Sequence, residues 1–179
     1  MAILPIRMFG DPALRQRAQE VERVTDVHQR LIEDMYETMR EAPGVGLAGP
    51  QVGVMERIFV WEVGEEHGAV INPVIVKASE EQEEGEEGCL SVPGIYYPVT
   101  RPATVTVEGL DENGDPVCLD AEGLLARVCQ HETDHLDGVL FIDRLSEDLR
   151  KEALTTLRDR ALGLPTPTPK QSHPSEESL

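Results

Sequence analysis

The segment His131-Glu132-Thr133-Asp134-His135 restricts the possible folds of this chain more than any other stretch. Two histidines four residues apart share a face on a helix. There both can bind one metal ion, and the glutamate between them can reach a water on that ion. Leu124, Leu125 and Val128, just upstream, fall on neighbouring turns of the same helix. The bland reading, two histidines on a surface helix, fits this apolar lead-in poorly. Burying imidazoles and a carboxylate beside such a stretch is costly unless a metal or polar partners meet them. The rest of the fold is therefore expected to wrap around this helix.

The remaining elements follow from periodicity and punctuation. Asp11-Pro12 combines a capping residue with a first-turn proline and opens a short helix over 13–18. A stronger helix begins at Thr25 or Asp26, carries Val27, Leu31, Ile32, Met35 and Met39 at helical spacing, and stops at Pro43-Gly44. Residues 57–63, 69–72 and 74–77 are β-branched and apolar and read as strands. Residues 79–87 hold six glutamates and read as a solvated loop. Strands at 104–108 and 117–120 flank Asn113-Gly114, a hairpin signal. A last helix starts at Ser146 with the stripe Leu149, Ala153, Leu154, Leu157 and Ala161, and Gly163 ends it. The expected fold is α+β: antiparallel or mixed β-sheets packed around the central histidine-bearing helix, plus a C-terminal helix, as one domain over 1–163. Residues 164–179 are rich in Pro, Ser and Thr, cannot build a core, and are expected to form a disordered tail that catalysis does not need.

A net charge of −18 argues against stable nucleic-acid binding, which needs a basic patch to displace counterions. Arg150, Lys151, Arg158 and Arg160 on the last helix leave room for a transient contact with ribosomal RNA. The longest apolar runs are far shorter than the ~20 residues a bilayer requires, so no membrane span is expected. Neither is a secretory signal, since residues 1–7 lack a charged start followed by an apolar stretch. Three cysteines, an odd number, suit a reducing cytoplasm better than a disulfide framework.

A catalytic metal site needs a third protein ligand and an open position for water. Gly138 continues one known extension of the histidine pattern, but Phe141 stands where its third histidine would be. Glu147 and Glu152 on the following helix are possible by distance along the chain. Cys129 lies two residues before His131, so it points roughly 200° away around the helix and reads as core. Cys118 sits in a hairpin strand and also reads as core. Cys89 differs: in Glu87-Gly88-Cys89-Leu90-Ser91 a glycine permits close backbone approach. Cys89 and the later glutamates both stay open on these grounds. The glycine-rich run 44–53 lacks the Gly-Lys-Ser/Thr ending of a phosphate loop and reads as a packed turn beside a substrate.

Three segments in this order resemble the peptide deformylase family: Gly44-Val45-Gly46-Leu47-Ala48-Gly49-Pro50-Gln51, then Glu87-Gly88-Cys89-Leu90-Ser91, then Gln130-His131-Glu132-Thr133-Asp134-His135. Gly49 replaces an alanine of the family pattern, a small-for-small change. The resemblance spans residues 3–160 and implies a metal-dependent hydrolase that removes the formyl group from N-formylmethionyl nascent peptides, releasing formate. It implies Cys89, His131 and His135 as ligands of one divalent metal ion, usually Fe2+, with Zn2+, Ni2+ or Co2+ in some members. It implies Glu132 as general acid/base, with Gln51 and the Leu90 N–H as donors to the oxyanion. Gly44, Val45 and Gly46, with Leu124 and Val128, are the expected substrate-binding residues, and Val45, Leu124 and Val128 double as candidates for ordinary core. The alternative activity is a zinc endopeptidase using a downstream glutamate.

Overall fold

The computed structural model describes residues 2–166 and Leu179. After a short 3-10 turn at Pro12–Arg15 come α1 (Asp26–Glu41), β1 (Gly46–Ala48), β2 (Ile58–Val63), β3 (Glu66–Ala78), β4 (Gln82–Cys89) and β5 (Val92–Pro102). They are followed by β6 (Thr104–Leu110), β7 (Pro116–Glu122), α2 (Gly123–Leu136) and α3 (Glu147–Ala161). The class is the expected α+β, and every strand pair in its two sheets is antiparallel.

Five strands form one sheet in the order β1-β2-β3-β6-β7, and β4 pairs with β5 alone. Helix α2 packs against the sheet and against β5, so both sheets enclose it. Its residues from Ala126 to Leu136 are all buried, as the histidine-bearing segment led one to expect. Val107, Phe59 and Val70 of the sheet join Val128 and Cys129 of α2 in one buried cluster. Helix α1 covers the same sheet through Ile32, Met35 and Met39, whereas Val27 of its expected stripe is exposed.

Three expectations change. Residues 69–77 form one strand, not two, because β3 runs through an irregularity at Asn72, whose backbone is left-handed (φ 53°). The Asn72 amide supports that kink by accepting from the Val21 N–H at 2.8 Å and donating to the Val21 carbonyl at 2.9 Å. Residues 82–89 form β4, taking up most of the stretch 79–87 expected to be a solvated loop. Its outer glutamates face water while Glu87 turns inward onto arginines. The helix expected over 13–18 is only the 3-10 turn. Helix α3 starts and stops as expected: the Ser146 hydroxyl accepts from the Leu149 N–H, and Gly163 follows its end with φ 67°. No described helix is long and apolar enough to cross a membrane. Of the tail expected to be disordered, 167–178 lies outside the described residues. Leu179 is 3% exposed and belongs to the buried cluster between α2 and the sheet.

Candidate metal centre

The chain turns from β7 into α2 at Gly123, whose φ of 56° suits a residue without a β-carbon. The helix then carries His131 and His135 under the end of β4, where Cys89 sits. The Cys89 Sγ lies 3.3 Å from His135 Nε2. One donor atom from each of Cys89, His131 and His135 falls within 4.8 Å of the others, and all three residues are buried. Glu147 and Glu152, the alternatives from the last helix, do not join this group; Glu152 instead accepts from the Tyr97 hydroxyl at 3.0 Å.

The orientation of His131 is set by groups outside the cluster. Its Nδ1 lies 2.9 Å from Glu87 Oε1, which assigns the ring proton to Nδ1 and turns Nε2 toward Cys89 and His135. Glu87 accepts from Arg101 Nε at 2.6 Å and Nη2 at 2.8 Å, and from Arg127 Nη1 at 2.7 Å. Burial opposes ionisation of Glu87, but the Arg101 and His131 hydrogen bonds outweigh it and hold the carboxyl far below its usual range. Arg101 also donates to Asp134 at 3.0 Å, and Arg144 pairs with Asp134 from the other side. Phe141, which occupies the place of a third histidine in sequence, stacks on the His131 ring at 6.1 Å between centroids.

The donor set fits a divalent metal ion. Among the described residues His131 Nε2 is buried with no hydrogen-bond partner. Burial drives His135 well below the ordinary histidine pKa, leaving it neutral with a lone pair to give. Burial likewise pushes the Cys89 thiol up to about 12. A thiolate at that depth needs a positive charge beside it, and one soft sulfur with two imidazoles suits several transition ions.

Glu132 is fully buried, and neither carboxylate oxygen has a hydrogen-bond partner among the described residues. Burial raises its pKa well above the carboxylate norm. Its carboxylate rests against the α-carbon of Gly46 in β1: a β-carbon there would stand 2.9 Å from Glu132 Cδ and 3.0 Å from Val128 Cγ1. Gln51 is also fully buried. Its Oε1 accepts from the Ala48 N–H at 2.8 Å, which turns Nε2 toward Ser91 Oγ (3.2 Å) and Cys89 Sγ (3.7 Å). The Leu90 N–H, next to Cys89, donates to the Leu179 backbone oxygen at 3.1 Å.

Of the expected substrate residues, Val45 and Val128 are buried in one cluster, Gly44 and Gly46 flank Val45, and Leu124 is half exposed. Cys129 is core, as expected. Cys118 is not: it is exposed, because along β7 Val117, Leu119 and Ala121 take the inward side. Glu87, Arg101, Arg127 and Asp134 were missed as a network. The available signal was the histidine itself, since a metal-binding imidazole normally gives its other N–H to a carboxylate or carbonyl.

A profile of the polypeptide deformylase family matches residues 3–151. A peptide deformylase of Acidothermus cellulolyticus is 52% identical over 159 residues, 89% of this chain and 88% of that protein. Peptide deformylase 1 of Corynebacterium glutamicum is 48% identical, covering 90% and 98%. Among solved structures, peptide deformylase from Ehrlichia chaffeensis in complex with actinonin superposes with a TM-score of 0.85 at 40% identity, over 89% of this chain and 98% of that one. The peptide deformylase of Thermus thermophilus gives 0.82 at 48% identity, over 89% and 94%.

Proposed function

From the premise that this chain belongs to the peptide deformylase family, we propose that Cys89, His131 and His135 hold its metal ion and that Glu132 is its general acid/base. The protein is a hydrolase that removes the N-terminal formyl group from newly made polypeptides and releases formate. Glu132 carries the assignment: a fully buried carboxylate without a hydrogen-bond partner, set between two imidazoles that face a buried thiol.

When bound, the ion supplies Lewis acidity, lowering the pKa of a water and polarising the formyl oxygen. Glu132 takes the proton of the attacking water. It returns that proton to the leaving amine. Gln51 and the Leu90 N–H are donors for the oxygen on which charge develops. Gln51 is held by Ala48, so its amide does not reorganise during the step. One such fixed donor is worth roughly 3–4 kcal/mol. Val45 and Val128 wall the methionine side chain, while Gly44, Gly46 and Leu124 border it.

Ferrous iron is our assignment for the ion, with zinc, nickel and cobalt as competitors for the same donors. Metal analysis of enzyme purified without oxygen decides among them, and peroxide sensitivity of the ferrous form follows from a thiolate ligand. Substrate encounter on the ribosome, in the cytoplasm, is transient in this reading. The basic residues of α3 are already engaged: Arg150 with Asp143, Lys151 with Glu147, Arg158 with Asp159 and Arg160 with two carbonyls.

The test is Glu132→Gln. Metal content stays at the parent level, because no ligand is removed, and formate release from a formyl-Met peptide falls by ~10²–10⁴-fold. The parent enzyme is far slower on the matching acetyl peptide, since a methyl group crowds a site shaped around a formyl hydrogen. Near-normal turnover by the variant would remove Glu132 from the chemistry.

A further inference from the structure

Leu179 is the last residue of the sequence, at the end of a run of polar residues, Ser175-Glu176-Glu177-Ser178. A leucine in that setting is expected in solvent. Instead it is 3% exposed and sits in the buried cluster that contains Val45 and Val128. Its backbone oxygen accepts from the Leu90 N–H at 3.1 Å. Both features coincide with the substrate site assigned above. Leu90 N–H is the proposed donor to the formyl oxygen, and Val45 with Val128 form the proposed methionine pocket. A leucine has nearly the volume of a methionine and exchanges with it at little cost in packed sites. The chain thus presents to its own site a backbone oxygen and an apolar side chain of the size the substrate brings.

We propose that Leu179 occupies the substrate pocket in the free enzyme and competes with the formyl-methionyl end of the substrate. The inference rests on the assignment of Leu90, Val45 and Val128 to substrate binding. The same chain can supply the leucine: thirteen residues beyond Thr166, at ~3.3–3.6 Å each, reach across a domain of this size. Tethering sets the strength of the competition. A ligand that belongs to the same chain as its site acts at an effective concentration of order mM. A single residue held by one pocket and one hydrogen bond binds about that weakly, so the two nearly balance. Leu179 raises KM by a small factor without blocking turnover, and kcat is untouched because a bound substrate has already displaced it.

Three proteins test this: the 179-residue chain, a chain ending at Thr166, and Leu179→Asp, which keeps the tether but places a charge in an apolar pocket. Steady-state kinetics on a formyl-Met peptide should show KM ~2–10-fold lower in the truncated and Asp proteins, with kcat unchanged. Equal KM values in all three would overturn the proposal. A second readout needs no turnover: the Leu90 amide, followed by hydrogen exchange, should be protected in the full chain and exposed in both variants. If no protein releases formate yet Leu90 loses protection on truncation, the terminus does occupy the site and it is the deformylase assignment that fails. If formate is released and Leu90 is equally protected in all three, the occupancy is wrong and the activity stands. A KM difference that grows with enzyme concentration would mean that a second copy supplies the leucine, overturning the same-chain form.

Discussion

Replacing Gly46 by alanine tests how closely the sheet is fitted to Glu132, the proposed general acid/base. Gly46 does not have a left-handed backbone, so adding a side chain introduces no φ strain. The effect comes from space alone. The new methyl would stand 2.9 Å from Glu132 Cδ and 3.0 Å from Val128 Cγ1, and closer still to Glu132 Oε1. Carbon atoms pack comfortably at ~3.5–4.0 Å, so the carboxylate must retreat by roughly half an ångström to one ångström. The strand cannot retreat instead, because Gly46 to Ala48 pair with Trp61 to Phe59 of β2. Overpacking of this kind costs about 1–3 kcal/mol. In a chain of this length each kcal/mol lowers Tm by roughly 2–4 °C, so a fall of about 2–12 °C is expected by calorimetry. A misplacement of about 1 Å at a reacting group costs on the order of 10²-fold, so kcat/KM for formate release should drop by roughly 10–100-fold. Metal content should not change, since Glu132 is not among the converging donors. Full turnover by Gly46→Ala would refute the reasoning, showing that Glu132 either has room to spare or does not act where it is placed.

Breaking the Glu87 network gives a pH-dependent result. Glu87→Gln leaves Arg127 without its buried countercharge and Arg101 with Asp134 alone, and such a loss costs about 3–5 kcal/mol. The folded pKa of Glu87 is depressed, so its contribution is complete above the ordinary carboxylate value of about 4.3. It is lost only as pH falls below that value toward the folded one. Urea unfolding should therefore show the full gap between parent and variant at neutral pH and a narrowing gap in strong acid; a gap that widens with acid would contradict the assignment. The cysteines should separate three ways. Cys89→Ala loses bound metal, Cys129→Ala keeps metal but loses stability as a buried site is emptied, and Cys118→Ala does neither. Under native conditions a thiol reagent should label Cys118 alone.

Helical segments were the most legible part of the sequence, because their apolar spacing and their caps agree. Ser146 and Gly163 bound α3 as their chemistry suggests. The two-stranded sheet was not legible. In β4 the glutamates mask the alternation, and the residue that matters, Glu87, differs from its neighbours only in which arginines reach it from β5 and α2. In β5, Pro93, Pro98 and Pro102 argue against a strand, yet this sheet has only two strands, so each keeps an open edge where a missing N–H is tolerated. The three segments that flagged the centre were readable because each ligand type stands out in its motif. The surrounding arginines and carboxylates were not, since they are scattered along the chain and only the folded backbone brings them together. Val27 and Leu124 show the reverse error: apolar and in phase, yet exposed at 71% and 41%.

The anchoring of His131 has a kinetic corollary. Its ring is held by Glu87 on one side and by Phe141 across its face, and Glu87 is itself clamped by two arginines from different elements. A hydrogen bond, a stacked ring and the salt links behind them therefore aim this imidazole. If His131 is a ligand as proposed, loading of the ion needs no reorientation of this ring. Such a scaffold tolerates replacement of one metal by another in solution.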